Sequence, residues 1–257
     1  MSIFSNDQII SEISNNKLIE NHDFNNVGPA SYELRMGDFY YDLTESDQPI
    51  SLTSYNDAII KPGHLVVLIT KEKLNIPPNV LGRIISKGSL FSIGLTPVCT
   101  NADPGFSGNI GIVTQNISDK YILIPKNESI AKIDFSELGS SSSKPYVGQH
   151  GFHTSVWPLK KQLQKNHADI SSDPRVKSEL EESYKILPNY TAHIIKKTLK
   201  YQKIMTASLC LLILLNVGLI AAIDQNWLST VQSFIISVVA SIVVLLFTTF
   251  LDRFFKV

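Results

Sequence analysis

Long apolar runs near the C-terminal end set one part of the chain apart from the rest. Residues 204–223 and 230–251 carry no charged side chain, and a short polar segment, DQNWLS, separates them. A helix of about 20 residues is roughly 30 Å long, which matches the hydrocarbon core of a bilayer. We therefore predict two transmembrane helices that form a hairpin. A pair of buried core helices is the alternative, but core helices rarely lack charge over two consecutive runs of this length.

Basic residues flank the two runs and are missing from the turn between them. Before the first run and after the second lie Lys196, Lys197, Lys200, Lys203, Arg253 and Lys256. Because basic flanks stay on the cytoplasmic side, we expect the N-terminal domain and the C-terminus in the cytoplasm. MSIFSNDQII at the N-terminus has no basic segment followed by an apolar run, so we expect no signal peptide. The pattern predicts a multi-pass protein of a bacterial inner (cytoplasmic) membrane.

The N-terminal part has a different pattern, with short apolar runs separated by turn residues. Examples are HLVVLIT (64–70), NIGIVTQN (109–116) and KYILIPKNESIAKIDF (120–135), and the turns include KPG, PPN, DPG and SDK. Many short strands at regular spacing indicate a β-barrel or a β-sandwich. Two short helices are expected as well, one over 6–15 and one around 87–93.

Residues between these two parts predict helices rather than strands. A serine run at 140–143 indicates a hinge. An amphipathic, solvated helix is expected from Asp173 to Pro188, begun by Asp-Pro. A further helix over 190–203 is expected to run into the first span. The predicted domains are therefore a soluble domain (1–158), a helical linker (159–203) and a transmembrane hairpin (204–257).

Composition excludes several classes of function. The net charge is zero, so nucleic-acid binding is not expected. Cys99 lies in the soluble part and Cys210 in a predicted span, so no disulfide is expected. No cysteine or histidine cluster has the spacing of a zinc site, and we expect no metal site.

Six sequence blocks, in order, resemble the dCTP deaminase branch of the trimeric dUTPase-like fold. They are VGPASYELRMGDFYY, IIKPGHLVVLITKEKLNIPPNVLGRI, SKGSLFSIGL, DPGFSGNIGIVTQN, LIPKNESIAKIDF and KPYVGQHGFHTSVWP. The resemblance covers about residues 6–158. It implies a mainly β, jelly-roll-type barrel with a few short helices, which assembles as a homotrimer or a higher homo-oligomer. The last block resembles the lid that closes over bound nucleotide in that family.

The resemblance also implies a nucleotide-binding site and the residues that build it. These are Lys87, Gly88, Ser89, Ser92, Asn101, Asp103, Gln115, Lys132, Tyr146 and Gln149. Gly88 and Ser89 are small enough to let the backbone approach a ligand, and Lys87 supplies positive charge for phosphate. Mg²⁺ is expected only as the companion of a bound nucleoside triphosphate, and no other cofactor is expected.

Each of these motifs also has a purely structural interpretation. SKGSL fits an ordinary polar turn, and Asp103 fits a residue that caps a turn. In PASYELR, a structural junction with an internal ion pair accounts for Ser31, Tyr32, Glu33 and Arg35. The sequence leaves these alternatives open.

Departures from the family pattern bear on catalysis. Val113 stands where the deaminases have the glutamate that acts as general acid and base, and valine transfers no proton. Lys87, Gly88 and Ser92 replace an arginine, a serine and a second arginine, and lysine lacks the two-pronged donor geometry of arginine. Ser129 and Lys132 stand where an arginine and a glutamine are expected. The stretch 96–102 is also slightly short, which affects the placing of Asn101.

Three functions follow as hypotheses. The first is a catalytically degenerate nucleotide sensor, a bacterial anti-phage effector whose hairpins perturb the membrane under nucleotide control. The second is an active, membrane-tethered dCTP deaminase or dUTP diphosphatase, in which Asp103 is the catalytic candidate. The third is a trimerisation scaffold for the hairpins without a ligand. The ligand is left open among dCTP, dUTP, dTTP and a cyclic dinucleotide.

Small and polar residues in the spans indicate close helix packing. Ser233, Ser237 and Ser241 repeat at intervals of four, as do Gly218 and Ala222. Asn216 is a polar group inside an apolar run and is expected to face a partner or water. Packing within one hairpin and packing between copies both account for this pattern.

Overall fold

The computed structural model describes residues 2–53, 55–148 and 161–255. The chain divides into two compact units, residues 1–160 and 161–257. The first unit contains helices α1 (Asn6–Ser14) and α2 (Gly88–Ser92). Its strands are β1 (Leu18–Glu20), β2 (Tyr32–Asp42), β3 (Pro49–Ser51), β4 (Asp57–Ile60), β5 (Leu65–Asn75), β6 (Val80–Ser86), β7 (Cys99–Ala102), β8 (Ser107–Gln115), β9 (Ile122–Pro125) and β10 (Ser129–Glu137).

The first unit is built on a curled antiparallel sheet. Eight strands join it in the order β1-β5-β2-β10-β6-β7, with β3 paired to β2 and β8 paired to β5, while β4 and β9 form a separate pair. The predicted mainly β fold with a few short helices is confirmed.

Alternation along β8 decides which of its side chains face the core. Ile110, Ile112 and Thr114 are buried, whereas Val113 between them is 40% exposed. This is the period-two pattern of a strand with one packed face. The apolar core of the unit also contains Leu34, Met36, Leu68, Ile133 and Phe135. Val113 therefore points away from the core.

Helix α1 forms where its capping residues predict it. The Ser5 hydroxyl accepts the backbone N–H of Gln8 at 3.4 Å, and the Gln8 side chain accepts the backbone N–H of Ser5 at 2.9 Å. This reciprocal pair satisfies two N–H groups at the helix start. Ile9 and Ile13, on one face of this helix, are buried. The expected helical turn around 87–93 is likewise present, as α2.

The second unit is helical within its described residues. It contains α3 (His167–Ile170), α4 (Glu179–Ile186), α5 (Asn189–Asp224) and α6 (Thr230–Phe255). The predicted helix over 190–203 is confirmed, and α5 passes residue 204 without a break. The boundary between the helical linker and the transmembrane hairpin, placed between residues 203 and 204, therefore stays a prediction.

The prediction that a helix begins at Asp173-Pro174 was wrong. Asp173 instead accepts the backbone N–H of Arg175 at 2.9 Å in a local turn. Helix α4 begins only after Ser178, whose hydroxyl accepts the backbone N–H of Glu181 at 3.4 Å. The capping pair of Ser178 and Glu181 is a stronger start signal than Asp-Pro. Each side chain accepts the backbone N–H of the other residue, so two N–H groups that lack a partner in the helix are satisfied.

Helices α5 and α6 are long and apolar enough to cross a membrane. Each has a window of mean hydropathy 2.4, and the share of that window buried inside the molecule is 0% for α5 and 6% for α6. Such uncovered apolar helices are consistent with the predicted hairpin. The Ser237 hydroxyl donates to the Asn216 side-chain oxygen at 2.5 Å, so Asn216 finds its partner inside the hairpin.

Candidate functional site

A cavity of about 550 Å³ lies in the first unit between β7, β8 and the residue Tyr146. Three of the residues expected at a nucleotide site, Asn101, Asp103 and Tyr146, line it together. The other lining residues are Pro97, Val98, Cys99, Thr100, Phe106, Ile110, Gly111 and Val113. The lining of the cavity therefore combines polar groups, on Asn101 and Asp103, with apolar groups, among them Ile110 and Val113 of β8.

A tight turn positions Asp103 at the end of β7. The Phe106 N–H donates to the Asp103 carbonyl at 2.9 Å, and the Gly105 N–H donates to the Ile76 carbonyl at 3.0 Å. Gly105 has φ +88°, and a Cβ there would lie 2.7 Å from the Cβ of Pro145. Only glycine meets both requirements without strain. The Asp103 side chain is exposed, and among the described residues no hydrogen bond or ion pair engages its carboxylate.

Tyr146 is held at the cavity by the same turn. Its backbone N–H donates to the Pro104 carbonyl at 2.8 Å, and its ring centroid lies 5.6 Å from that of Phe106. An aromatic pair at this separation contributes about 0.5–1.5 kcal/mol beyond its buried area. The segment after the sheet is thus fixed against the cavity at Tyr146. Gln149, the remaining expected site residue of this segment, lies outside the described residues.

Val113 reaches the cavity from the outward face of β8. It pairs with Val67 of β5, in the register that places Ile112 opposite Leu68. Among the described lining residues, Asp103 carries the one carboxylate. At the Val113 position the cavity therefore presents a methyl surface, which packs against a ligand but transfers no proton.

The two lysines expected at the nucleotide site, Lys87 and Lys132, lie in a second cluster, around Glu33. Lys87 Nζ donates to Glu33 Oε2 at 2.9 Å, and Lys132 Nζ lies 3.6 Å from Glu33 Oε1. Burial alone would raise the pKa of the Glu33 carboxyl, but hydrogen bonds from Lys87 and Ser129 and the charges of both lysines bring it below the usual range. Neither lysine is among the described residues that line the cavity.

The remaining expected site residues make local contacts. The Ser92 hydroxyl donates to the Ser89 carbonyl at 2.8 Å within α2. A Cβ at Gly88 would meet nothing within 4 Å in the described part of the chain, so space alone does not require glycine there. Gln115 Nε2 donates to the Gly63 carbonyl at 2.9 Å, at the turn that precedes β5.

PASYELR forms a structural junction, but its ion pair joins Arg35 to Glu72, outside the motif, and Glu33 pairs with Lys87 instead. Arg35 Nε donates to Glu72 Oε1 at 2.6 Å, and the Arg35 backbone N–H donates to Glu72 Oε2 at 2.8 Å. Tyr32 donates its phenol proton to the same carboxylate at 3.2 Å. Burial raises the pKa of the Tyr32 phenol, and the charge of Glu72 raises it further. Glu72 is 0% exposed and was not singled out in the sequence, because only the pairing of β2 with β5 brings it to Arg35.

Comparison with known proteins agrees with the fold. Residues 3–138, just over half of the chain, match the model of the dCTP deaminase-like family. A dCTP deaminase of Pyrococcus abyssi is 27% identical over 122 residues, which are 48% of this chain and 77% of that protein. A "dCTP deaminase, dUMP-forming" of Methanosphaera stadtmanae is 28% identical over 156 residues, 54% of this chain and 75% of that protein.

Among solved structures, a 2'-deoxycytidine 5'-triphosphate deaminase from Agrobacterium tumefaciens is 16% identical and has a TM-score of 0.45. That match covers 52% of this chain and 47% of the other, so the chain spans about half of its length. Nothing about activity follows from a likeness at this level. The extent of the family match over residues 3–138 does decide the family: this chain belongs to the dCTP deaminase-like proteins.

Proposed function

We propose that the protein is a membrane-anchored nucleotide sensor and effector, built on a catalytically degenerate dCTP deaminase-like domain. The observation that carries the proposal is that Val113 lines the cavity of β7 and β8 together with polar groups suited to recognition. The sequence resemblance assigns the acid-base glutamate of the family to this position. General acid-base catalysis typically contributes about 10²–10⁴-fold in rate. A cavity that has polar groups but lacks this glutamate favours binding over turnover.

The lining of the cavity suits a nucleoside. Phe106, Ile110 and Val113 offer an apolar surface for the flat base, while Asn101 and Asp103 offer an amide and a carboxylate for hydrogen bonds. A largely apolar pocket with a few placed polar groups is typical of small-molecule sites. The bound nucleotide is dCTP, dUTP, dTTP or a cyclic dinucleotide, and Mg²⁺ accompanies it where it is a triphosphate.

A homotrimer, or a higher homo-oligomer, accounts for the separation of the two clusters. Lys87 and Lys132 lie around Glu33 rather than in the cavity of their own chain. If the site forms between copies, the lysines of one copy supply phosphate contacts to the cavity of the next. Lysine provides a point charge for this role, but it lacks the bidentate hydrogen-bonding geometry of arginine.

The helices α5 and α6 connect this domain to a bilayer. We place the domain and the C-terminus on the cytoplasmic side of a bacterial inner membrane, on the strength of the lysines that precede the first span. In a homotrimer the hairpins bring six helices together. Nucleotide binding then controls how these hairpins perturb the membrane, a mechanism suited to anti-phage defence.

Ligand binding and turnover are tested together on the full-length protein in detergent. We expect one nucleotide of the panel dCTP, dUTP, dTTP and cyclic dinucleotides to raise the melting temperature without release of ammonia or pyrophosphate, since any ligand of the folded state stabilises it by mass action. Asn101→Ala is expected to abolish the shift, and Asp119→Asn, an exposed turn residue outside the cavity, to leave it intact. Turnover by the wild type would overturn the degenerate sensor, and the absence of any shift would favour a scaffold without ligand.

An active enzyme is the second candidate, and the carboxylate of Asp103 is the observation in its favour. Asp103 lines the cavity without a partner among the described residues. A free carboxylate of this kind can orient a water molecule for dUTP diphosphatase or deaminase chemistry. Loss of turnover in Asp103→Asn, with nucleotide binding retained, would support this candidate.

A further inference from the structure

A cluster of metal-ligating side chains lies outside the cavity, where β2 ends and β5 begins. Asp42 is the last residue of β2, Glu45 follows in the next turn, and His64 immediately precedes β5. One ligand atom from each of the three side chains lies within 4.8 Å of the others. His64 Nδ1 lies 2.8 Å from Asp42 Oδ2. The cluster is independent of the proposed nucleotide site.

We propose that Asp42, Glu45 and His64 bind a divalent first-row transition-metal ion such as Zn²⁺. One imidazole and two carboxylates are a donor set that such ions accept. These ligands lie about 2.0–2.2 Å from the metal, so two ligands of one ion are separated by about 3.0–4.4 Å. The separations within the cluster lie close to this range, and small side-chain rotations complete the fit.

Backbone contacts hold the ligands in place before any ion arrives. Asp42 is 3% exposed, and its Oδ1 accepts the Thr44 N–H at 3.2 Å, which leaves Oδ2 directed at the imidazole. The Thr44 hydroxyl in turn accepts the Leu65 N–H at 2.9 Å, and Leu43 N–H donates to the Leu65 carbonyl at 2.9 Å. The ends of the two strands are therefore fixed to each other. Preorganised ligands with outer hydrogen bonds are characteristic of metal sites.

Lys61 already places a positive charge against this cluster. Its ammonium group donates a short hydrogen bond to Glu45. Tyr40, on β2, lies within the field of both charges. An incoming ion displaces this flexible, partly exposed lysine from Glu45, so Lys61 is a built-in competitor for the site.

Metal titration of the full-length protein in detergent tests the proposal. With the affinity tag removed and metals stripped, ZnCl₂ is titrated calorimetrically, and MnCl₂ in parallel. We expect one ion per chain and a higher melting temperature, since binding to the folded state stabilises it. His64→Ala and Glu45→Gln are expected to weaken binding by about tenfold or more. Lys61→Met is expected to strengthen it, because the competing ammonium is gone.

His22→Ala is the matched control. His22 is an exposed histidine that lies 4.6 Å, ring to ring, from Phe24 and outside the cluster. Its removal should leave the affinity unchanged. Melting in EDTA shows that each variant is folded before titration. Equal affinity in wild type and His64→Ala, or no binding in either the wild type or Lys61→Met, overturns the proposal. An unchanged affinity in Lys61→Met overturns the role given to the lysine.

Discussion

The hydroxyl of Ser237 on α6 donates a 2.5 Å hydrogen bond to the side-chain oxygen of Asn216 on α5. Asn216 also donates through Nδ2 to the Leu212 carbonyl of its own helix at 2.8 Å. Both polar groups are satisfied within one hairpin, although each lies in a run of apolar residues. The pair therefore fixes the two helices to each other at one level along their length.

Removal of this contact should loosen the hairpin. Hydrogen bonds between membrane helices contribute about 0.6 kcal/mol on average and up to about 2 kcal/mol. We expect Ser237→Ala to lower the free energy of hairpin unfolding in SDS titrations by an amount in this range. Ser241→Ala is the control, because the Ser241 hydroxyl donates within its own helix, to the Ser237 carbonyl at 2.8 Å. Equal losses in both variants would contradict the interhelical role.

The buried ion pair of Arg35 and Glu72 should be expensive to break. Glu72 is 0% exposed on its side chain and Arg35 is 11% exposed. Removing one partner of a buried pair leaves an uncompensated charge, which typically costs about 3–5 kcal/mol. We expect Glu72→Gln to lower the thermal stability of the full-length protein strongly. Lys73→Gln, which breaks the exposed pair with Glu20, should cost about 0–1 kcal/mol. Similar melting temperatures for the two variants would refute this.

The Gly105 turn should be far less tolerant of substitution than Gly88. In Gly105→Ala the new Cβ meets Pro145 and the backbone keeps a φ of +88°, so we expect a loss of about 1–2 kcal/mol and a weaker nucleotide-induced melting shift. Gly88→Ala places a Cβ in open space at the start of α2, where alanine is favoured over glycine by about 0.5–1 kcal/mol. Differential scanning calorimetry of both variants checks the contrast. A Gly105→Ala protein as stable as the wild type would show that the turn can rearrange.

Glu33 should make the stability of the first unit pH-dependent. The pKa of the folded state lies below the ordinary value of 4.5, so the carboxylate contributes stability above pH 4.5 that is lost as the pH falls through the folded pKa. The stability difference between the wild type and Glu33→Gln should therefore shrink as the pH drops below 4.5. Lys87→Met removes a hydrogen bond that lowers this pKa and should move the loss to higher pH. Parallel acid-unfolding curves of the three proteins measure both effects.

A carboxylate introduced at Val113 should be tolerated by the fold. Val113 is 40% exposed whereas its neighbour Ile112 is 2% exposed. Surface substitutions usually change stability by about 0.5 kcal/mol or less, while a charge buried in a core is strongly destabilising. We expect Val113→Glu to stay folded and Ile112→Glu to unfold. If the cavity lacks only an acid-base group, Val113→Glu releases ammonia from dCTP and Val113→Gln does not.

Periodicity and local signals were sufficient for the elements, but not for contacts between distant segments. The apolar runs predicted α5 and α6, and the local sequence over 6–15 predicted α1, because the cause of each lies in or beside the element. The role of Glu72 was not predicted, because Glu72 lies 37 residues from Arg35 in the sequence. Only the register of β2 on β5 brings the two together. Glu33 and Lys87 were both considered in the sequence, but their hydrogen bond was not predicted, because it spans 54 residues.

The cluster of Asp42, Glu45 and His64 is a second case of a contact between distant segments that the sequence did not predict. Strands β3 and β4 separate Asp42 and Glu45 from His64 along the chain, and no spacing in the sequence indicates a site there. Hydrogen bonds between the ends of β2 and β5 bring them together. The start of α4 was missed for a local reason, since Asp-Pro competes with the capping pair of Ser178 and Glu181. Tertiary pairing and competing local signals thus account for what the pattern did not predict.

The unbroken course of α5 has a mechanical consequence. Its residues 190–203 extend about 21 Å before the first predicted span begins, in the same 36-residue helix. A continuous helix is stiff along its axis and in torsion, unlike a flexible linker, which absorbs motion. A twist or a tilt applied at Tyr190 is therefore transmitted along the helix toward Ile204. In this sense α5 acts as a rigid rod, and Lys196, Lys197, Lys200 and Lys203 lie on the part that precedes the predicted span.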